Sequence, residues 1–231
     1  YNQISIEDNS KLFFGLGQTK LKCANGSSIV DVSCGAFHIL LLNSKKELYV
    51  QGRDQIGKFI AKWNTTNNSW FTLGDGLNGS CLTLATSGSD IYVGGFFTEV
   101  TDSDYTIKIA NHIAKWNIVS NKWSTLGNGL DAAVYSIAVS GNDIYVGGDF
   151  TSSGSRIAKW NTVSNTWSAL SGGLNSTVYA IVVSGSDIYA GGAFTSSGSR
   201  SAKWRTVLNT WEIVAPENVQ SIYQTNTNSF K

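Results

Sequence analysis

Three features of this sequence predict an all-β chain folded as a single β-propeller. A strand pattern recurs: Asp90-Ile-Tyr-Val-Gly-Gly, Asp143-Ile-Tyr-Val-Gly-Gly and Asp187-Ile-Tyr-Ala-Gly-Gly align when the segments ending at Trp123, Trp167 and Trp211 are overlaid. Trp116, Trp160 and Trp204 stand 44 residues apart, as do Trp123, Trp167 and Trp211, and a period of that size with four short apolar stretches is that of a propeller blade. The composition agrees: 24 Gly, 8 Trp and 9 Tyr with one Pro and 14% charged residues describe β-branched and aromatic strands joined by Gly, Ser and Asn turns. An unbroken repeat without a Pro-rich or charged linker places all 231 residues in one domain.

Each element of a blade has its own warrant. The first strand, Val178 to Val183, is apolar on both alternating faces, as a strand buried on both sides near the channel requires. Ser184-Gly-Ser-Asp187 then supplies a tight hairpin, because glycine reaches positive φ at no steric cost. Asp90, Asp143 and Asp187 recur at this turn, where an Asp side chain bonds its own backbone. The second strand, Ile188 to Gly191, ends in a Gly pair (Gly94-Gly95, Gly147-Gly148, Gly191-Gly192), whose missing Cβ atoms let backbones approach closely or bend. The third strand carries Trp63, Trp116, Trp160 or Trp204, and the fourth runs from Trp167 to Leu170 in its unit, so two indoles per blade are available for packing between blades. Lys62, Lys115, Lys159 and Lys203 recur beside the third-strand Trp, with stems expected on the blade and ammonium groups in water.

Counting these units gives five four-stranded blades near 3–35, 36–73, 80–126, 132–170 and 177–214. Trp63 to Trp116 spans 53 residues, and the nine extra residues fall between Phe97 and His112 as a lengthened hairpin, with Glu99, Asp102, Asp104 and Lys108 expected in an exposed loop. Residues 215–231 contain Val219 to Tyr223, a strand expected to pair with the amino-terminal blade and close the ring, which removes exposed edges. The alternative is six or seven blades with part of the chain missing. Tyr1 begins the chain and no Met occurs, so a removed leader or a longer product is expected.

The recurring Gly-Gly pair with a Trp one strand later makes the region 36–214 resemble kelch-like propeller repeats. Ile29 to Leu42, with Cys34-Gly35 and His38 in a Cys-Gly-x-x-His pattern, followed by Glu47-Leu-Tyr-Val-Gln-Gly, resembles a repeat of the regulator-of-chromosome-condensation (RCC1) type. Leu12-Phe-Phe-Gly is similar to the strand before that family's glycine-rich turn. Asn- and Ser-rich chains that mix both repeats are similar to proteins of large DNA viruses of amoebae and to some bacterial surface proteins. This compositional resemblance implies a structural or adhesive role, in host cytoplasm or a virion if viral and on an extracellular surface otherwise. Propellers carry many unrelated activities, so the resemblance implies fold more than function.

The chemistry-bearing residues point away from catalysis. Net charge is +1, which leaves no footprint for nucleic acid or an anionic membrane, and no stretch reaches the ~18 apolar residues of a membrane span. The two histidines fall at non-equivalent positions: His38 in an apolar strand, as a core residue, and His112 aligned with Arg156 and Arg200 at a solvated loop edge. Cys23, Cys34 and Cys81 are expected as buried thiols, with a Cys23–Cys34 bridge as the alternative. Glu99, Asp102 and Asp104 lack the dense oxygen series and glycine-set turn of a calcium loop. No catalytic residue, metal or cofactor is expected, and the chain is read as a non-enzyme. Sequons at Asn25, Asn64, Asn67, Asn78 and Asn175 matter only in a secretory pathway.

Positions where the repeats differ are the candidate partner surface. After the Gly pair stand Arg53, Phe96, Asp149 and Ala193, and Phe96, Phe97 and Tyr105 offer aromatic platforms. The expected function is a structural or scaffold protein for protein–protein contact, including contact with further copies of itself in a filament or surface layer. The alternative is a glycan-binding adhesion module; guanine-nucleotide exchange is a third, weaker class. Trp160→Ala is expected to cost about 3–5 kcal/mol, read as a fall in thermal stability.

Overall fold

The computed structural model describes residues 59–64, 69–195 and 200–214, together with short strands between residues 5 and 51. It is all-β, with no helix among the described residues. β1 (Ser5–Ile6), β2 (Lys11–Phe13) and β3 (Leu21–Lys22) form one small antiparallel sheet. β4 (Val32–Gly35), β5 (His38–Leu42), β6 (Glu47–Gln51), β7 (Ala61–Asn64) and β8 (Ser69–Thr72) form a five-stranded meander. After β9 (Gly76–Leu77) come three four-stranded meanders, each the sheet of one blade. The first comprises β10 (Cys81–Ser87), β11 (Asp90–Gly95), β14 (Ile113–Asn117) and β15 (Lys122–Thr125), with β12 (Glu99–Thr101) and β13 (Ile107–Ile109) between its second and third strands in sequence. The second comprises β16 (Val134–Ser140), β17 (Asp143–Gly148), β18 (Ile157–Asn161) and β19 (Thr166–Ala169). The third comprises β20 (Val178–Ser184), β21 (Asp187–Gly192), β22 (Ser201–Arg205) and β23 (Thr210–Ile213). Their first strands lie side by side, β10 next to β16 and β16 next to β20, so the order is propeller-like.

The repeat fixes the register. Trp116 faces Trp123, Trp160 faces Trp167 and Trp204 faces Trp211 across the third and fourth strands, and the Trp63 and Trp70 backbones pair likewise. In the three four-stranded sheets the indole centroids are 5.1–5.2 Å apart. The turns between them use two asparagines in the first two sheets and one in the third, where Arg205 replaces the first. Asn117 and Asn161 accept the N–H groups two and three residues on, while Asn121, Asn165 and Asn209 adopt positive φ, a conformation Asn tolerates better than most residues.

Blades are joined by one repeated hydrogen bond. The Nε1–H of Trp123 donates to the Leu73 carbonyl at 2.9 Å, that of Trp167 to Leu126 at 2.9 Å, and that of Trp211 to Leu170 at 3.1 Å. Each acceptor closes the fourth strand of the preceding blade. Close packing nearer the axis depends on the first glycine of each pair: a Cβ on Gly94 would meet Val134 Cγ1 at 2.5 Å, and one on Gly147 would meet Val178 Cγ1 at 2.5 Å.

Several expectations are corrected. The first strand is not buried on both faces: Val178 and Ile181 are buried while Tyr179 is exposed, and Cys81 with Leu84 and Val134 with Ile137 repeat that spacing of three. A β-bulge breaks the alternation between Cys81 and Thr83, Val134 and Ser136, and Val178 and Ala180. The N–H of Ile137 is taken by Thr83 Oγ1 at 3.2 Å, and that of Ile181 by Ser136 Oγ at 2.9 Å, so a hydroxyl of the preceding blade serves two of the three bulges. Asp90, Asp143 and Asp187 are taken by the third strand rather than by their own turns: they pair with Lys115, Lys159 and Lys203 at 2.9, 3.2 and 2.8 Å, and Asp90 and Asp143 also accept from the Asn117 and Asn161 amides. The lysine ammoniums are therefore neutralised on the blade rather than free in water. Finally, β4 pairs with β5, so the expected boundary between 35 and 36 cuts through one sheet. The Cys23–Cys34 alternative, the His38 side chain and the closing strand at 219–223 lie outside the described residues. Cys81 is buried and not in a disulfide.

Trp123→Phe keeps the packing but removes one of two donors to the Leu73 carbonyl, the Gly76 N–H remaining, an expected loss of about 0.5–1.5 kcal/mol in chemical denaturation. Gly147→Val is expected to destabilise by about 1–3 kcal/mol through overpacking against Val178, and Val178→Ala in the same chain to recover part of it.

Candidate functional site

The bulges build a surface. A bulged residue is re-aimed out of the strand's alternation, and the residues so placed are Leu82, Tyr135 and Tyr179. They lie where each first strand meets the Gly pair of the second: Cys81 opposes Gly95, Val134 opposes Gly148 and Val178 opposes Gly192. The residue after each Gly pair therefore joins the same end of the blades.

There an aromatic row crosses three consecutive blades. Phe96, 54% exposed, meets Tyr135 edge to face with centroids 6.1 Å apart, and Tyr135 meets Tyr179, 58% exposed, at 5.7 Å. Edge-on and tilted geometries suit rings whose faces are negative and edges positive. Asp149 fixes the middle of the row: it accepts from Tyr135 Oη at 3.2 Å, from Arg156 Nη1 at 3.1 Å and from the Thr177 hydroxyl of the next blade. Partial burial first, then the Asp149 charge and hydrogen bond, raise the Tyr135 phenol above its ordinary pKa, so it stays a neutral donor. Arg156 also donates to the Asp149 carbonyl. The arrangement offers flat apolar rings, a phenol and a half-exposed Asp–Arg pair.

The expected surface residues divide. Phe96 and Asp149 are brought together through Tyr135. Phe97 is fully buried and presents nothing to a partner. It is equivalent to Phe150 and Phe194, also fully buried, because the second residue after each Gly pair fills the core between blades. Tyr105 is exposed but stands on the insert hairpin, outside the row. Arg53 lies outside the described residues. Of the structural glycines, Gly94, Gly95, Gly147, Gly148 and Gly192 each sit where a Cβ would collide, whereas Gly191 meets nothing within 4 Å. Trp116, Trp160 and Trp204 are buried as expected. Tyr135 and Tyr179 were missed; their signal was the variable series Leu82, Tyr135, Tyr179 inside a fixed frame.

His112, the counterpart of Arg156, is half-buried with Nδ1 3.2 Å from the Gly95 carbonyl, not at a solvated edge. The expected exposed loop is also corrected: Asp102 is 1% exposed and pairs with Lys108 at 2.6 Å, and Asp104 pairs with Lys122 at 2.6 Å. Between the second and third four-stranded sheets lies a cleft of about 460 Å³ lined by Asp143, Tyr145, Lys159, Trp204 and Asn209. Its charges are paired with each other, and burial, then the Asp143 charge, push the Tyr145 phenol up to about 12.

No family model matches the chain. Over 99 residues, 42% of its length, it is 33% identical to the polarized growth protein rax2 of Schizosaccharomyces pombe, and it spans 8% of that relative. Among solved structures, the extracellular domain of the putative hybrid two component system BT4673 from B. thetaiotaomicron is similar over 92% of this chain and 23% of its own, with a TM-score of 0.51 and 15% identity. The WD40 repeats of RRP9 match over 83% of this chain and 52% of their own, with a TM-score of 0.46 and 15% identity. The computationally designed Ika4 protein matches over 82% and 99%, with a TM-score of 0.46 and 17% identity. At these identities the BT4673 likeness concerns the fold alone.

A second device holds adjacent loops. Asn78, Asp131 and Asn175 follow Gly-Leu in each unit, and their side-chain oxygens accept the N–H groups of Thr98, Thr151 and Thr195 at 2.8, 2.7 and 2.8 Å. The Asn78 and Asn175 amide nitrogens donate to Thr98 and Thr195 hydroxyls, so these two sequon asparagines are structural. Asp131 is the ionisable member. Desolvation pushes its pKa up, but bonds from Thr151 and Ser152 outweigh it and hold the carboxyl well below the usual range. A depressed carboxylate contributes stability that is present above its unfolded value near pH 4 and is lost as pH falls toward the folded value. Asp131→Asn keeps the clamp's acceptor, and its melting temperature is expected to vary less than that of the parent between about pH 4 and pH 2; equal slopes in a thermal melt series would refute the assignment.

Proposed function

We propose that this chain is a non-enzymatic interaction scaffold whose propeller-like body presents the Phe96–Tyr135–Tyr179 row to a protein partner. The observation that carries the reading is that row. Two half-exposed aromatics on separate blades are linked by a third, and the link is held by an Asp149 network that spans two blades. Rigid aromatics with a fixed polar neighbour are the residue types that anchor protein interfaces. The proposal extends to a five-bladed, kelch-like ring closed by pairing of terminal strands. It also includes head-to-tail stacking of the disc into a filament or layer, since its two faces differ.

A glycan is the second reading, because flat rings beside a carboxylate, a guanidinium and hydroxyls also suit a sugar. The test compares the parent with a Phe96→Ala/Tyr135→Ala/Tyr179→Ala chain. A protein partner recovered by crosslinking of the native source and then rebound in purified form should bind the triple variant at least about tenfold more weakly. Retained affinity there, with hits on a glycan array that the variant loses, would replace the protein reading with the sugar one.

A further inference from the structure

The insert that interrupts the first four-stranded blade is a separate three-stranded sheet, β13–β12–β9, and its inner face is an anchor. Asp102 Oδ1 accepts the N–H of Trp123 at 2.7 Å while Lys108 donates to the Trp123 carbonyl. The Asp102–Lys108 pair thus takes the place of a further strand along the outer edge of β15. Gly74 makes the approach possible, since a Cβ there would collide with the Thr101 carbonyl. Val100 and Leu77 complete the buried face.

The opposite face and the free edge are unlike a solvated hairpin. Asp102 N–H bonds the Thr106 carbonyl and Ala110 N–H the Thr98 carbonyl, while Asp75 and Asn78 N–H groups bond the Thr101 and Glu99 carbonyls. Alternation along an antiparallel pair then directs the backbone groups of Thr106, Lys108 and Ala110 toward β12, and those of Ile107 and Ile109 toward the open edge. The same two residues are each 60% exposed, beside Tyr105 at 77%. Natural sheets blunt such edges with charge or proline; here the one charge, Lys108, is turned to the inner face and tied to Asp102, and the outer face carries two isoleucines. Facing Ile109 across the sheet is Glu99, whose carboxylate has no pairing cation among the described residues, whereas Lys108 and Lys122 are both neutralised by aspartates.

We propose that β13 is a docking edge that takes an extended segment of a partner protein as an added strand, with an apolar residue beside Ile107 and a basic residue beside Ile109, its stem over the Ile109 side chain and its ammonium reaching across to Glu99 on the same face. A folded second copy fits less well: three residues of edge are far short of the roughly 1,200–2,000 Å² that a stable pair of folded surfaces buries, while main-chain pairing suits a short flexible strand. This surface is independent of the aromatic row.

The probe is a panel of fluorescent heptapeptides that alternate Thr with Val, in which one Val of the isoleucine-facing set is replaced by Lys, Thr or Glu, titrated by anisotropy into the whole chain. Lys-containing peptides should bind best. Ile109→Pro removes an outward N–H that the ladder does not use, and should weaken binding at least about tenfold. Ile107→Lys/Ile109→Lys should do the same through side chains alone, serving if the proline variant is unstable. Glu99→Lys should transfer the preference to Glu-containing peptides, and Tyr179→Ala should change nothing. Absence of binding by every peptide below about 1 mM, or equal binding by the edge variants, would overturn the proposal. So would a dimer of the parent chain that Ile109→Pro dissociates, which would make a second copy the occupant.

Discussion

The bond from a fourth-strand indole to the last carbonyl of the preceding blade is the interaction on which the rest of this architecture depends. A single four-stranded meander has one face too many: its apolar residues need a neighbour, and its outer carbonyls need donors. Trp123, Trp167 and Trp211 meet both needs at once, because each buries ring area and carries an N–H to Leu73, Leu126 or Leu170. The 41-residue reach of the latter two bonds, and 50 for the first, shows that the insert lengthens the chain between donor and acceptor without moving either. Polar pairs such as Asp90–Lys115 recur with the same period, but partly exposed ion pairs contribute little each.

Nearer the axis, packing is settled by what is missing. The Gly94 and Gly147 positions let Val134 and Val178 of the next blade sit against bare backbone, and the bulge beside each valine turns the following residue outward. The same local defect that fits one blade to the next therefore aims Tyr135 and Tyr179 at solvent. Site and scaffold are coupled here: Asp149 bonds Tyr135 within its blade and Thr177 of the next, so the row is as rigid as the blade interface beneath it.

The insert obeys a different rule. Its polar attachment centres on one buried carboxylate, Asp102, which takes Lys122 and the Trp123 amide of the strand it covers and Lys108 of the insert itself. An ion pair so placed is expensive to break, because removal of one partner strands a charge in a dry environment. The cover relocates the free edge of the blade from a polar strand to the isoleucine-bearing β13.

The period and the strand order of the three best-matched repeats were legible in the sequence, because each follows from short-range chemistry repeated at a fixed interval. The insert's position was legible for the same reason. Phe97 could have been read as core, since Phe150 and Phe194 share its place, but its neighbour Phe96 drew both into one exposed platform. What the repeat could not display was anything that depends on two distant segments meeting. The bulges arise where a first strand must fit both its own second strand and the preceding blade, and they alone make Tyr135 and Tyr179 surface residues. The burial of Asp102 likewise required Lys108 and Trp123, 6 and 21 residues away, to converge on it. An alternating pattern assigns faces only while alternation holds; packing between blades decided where it fails.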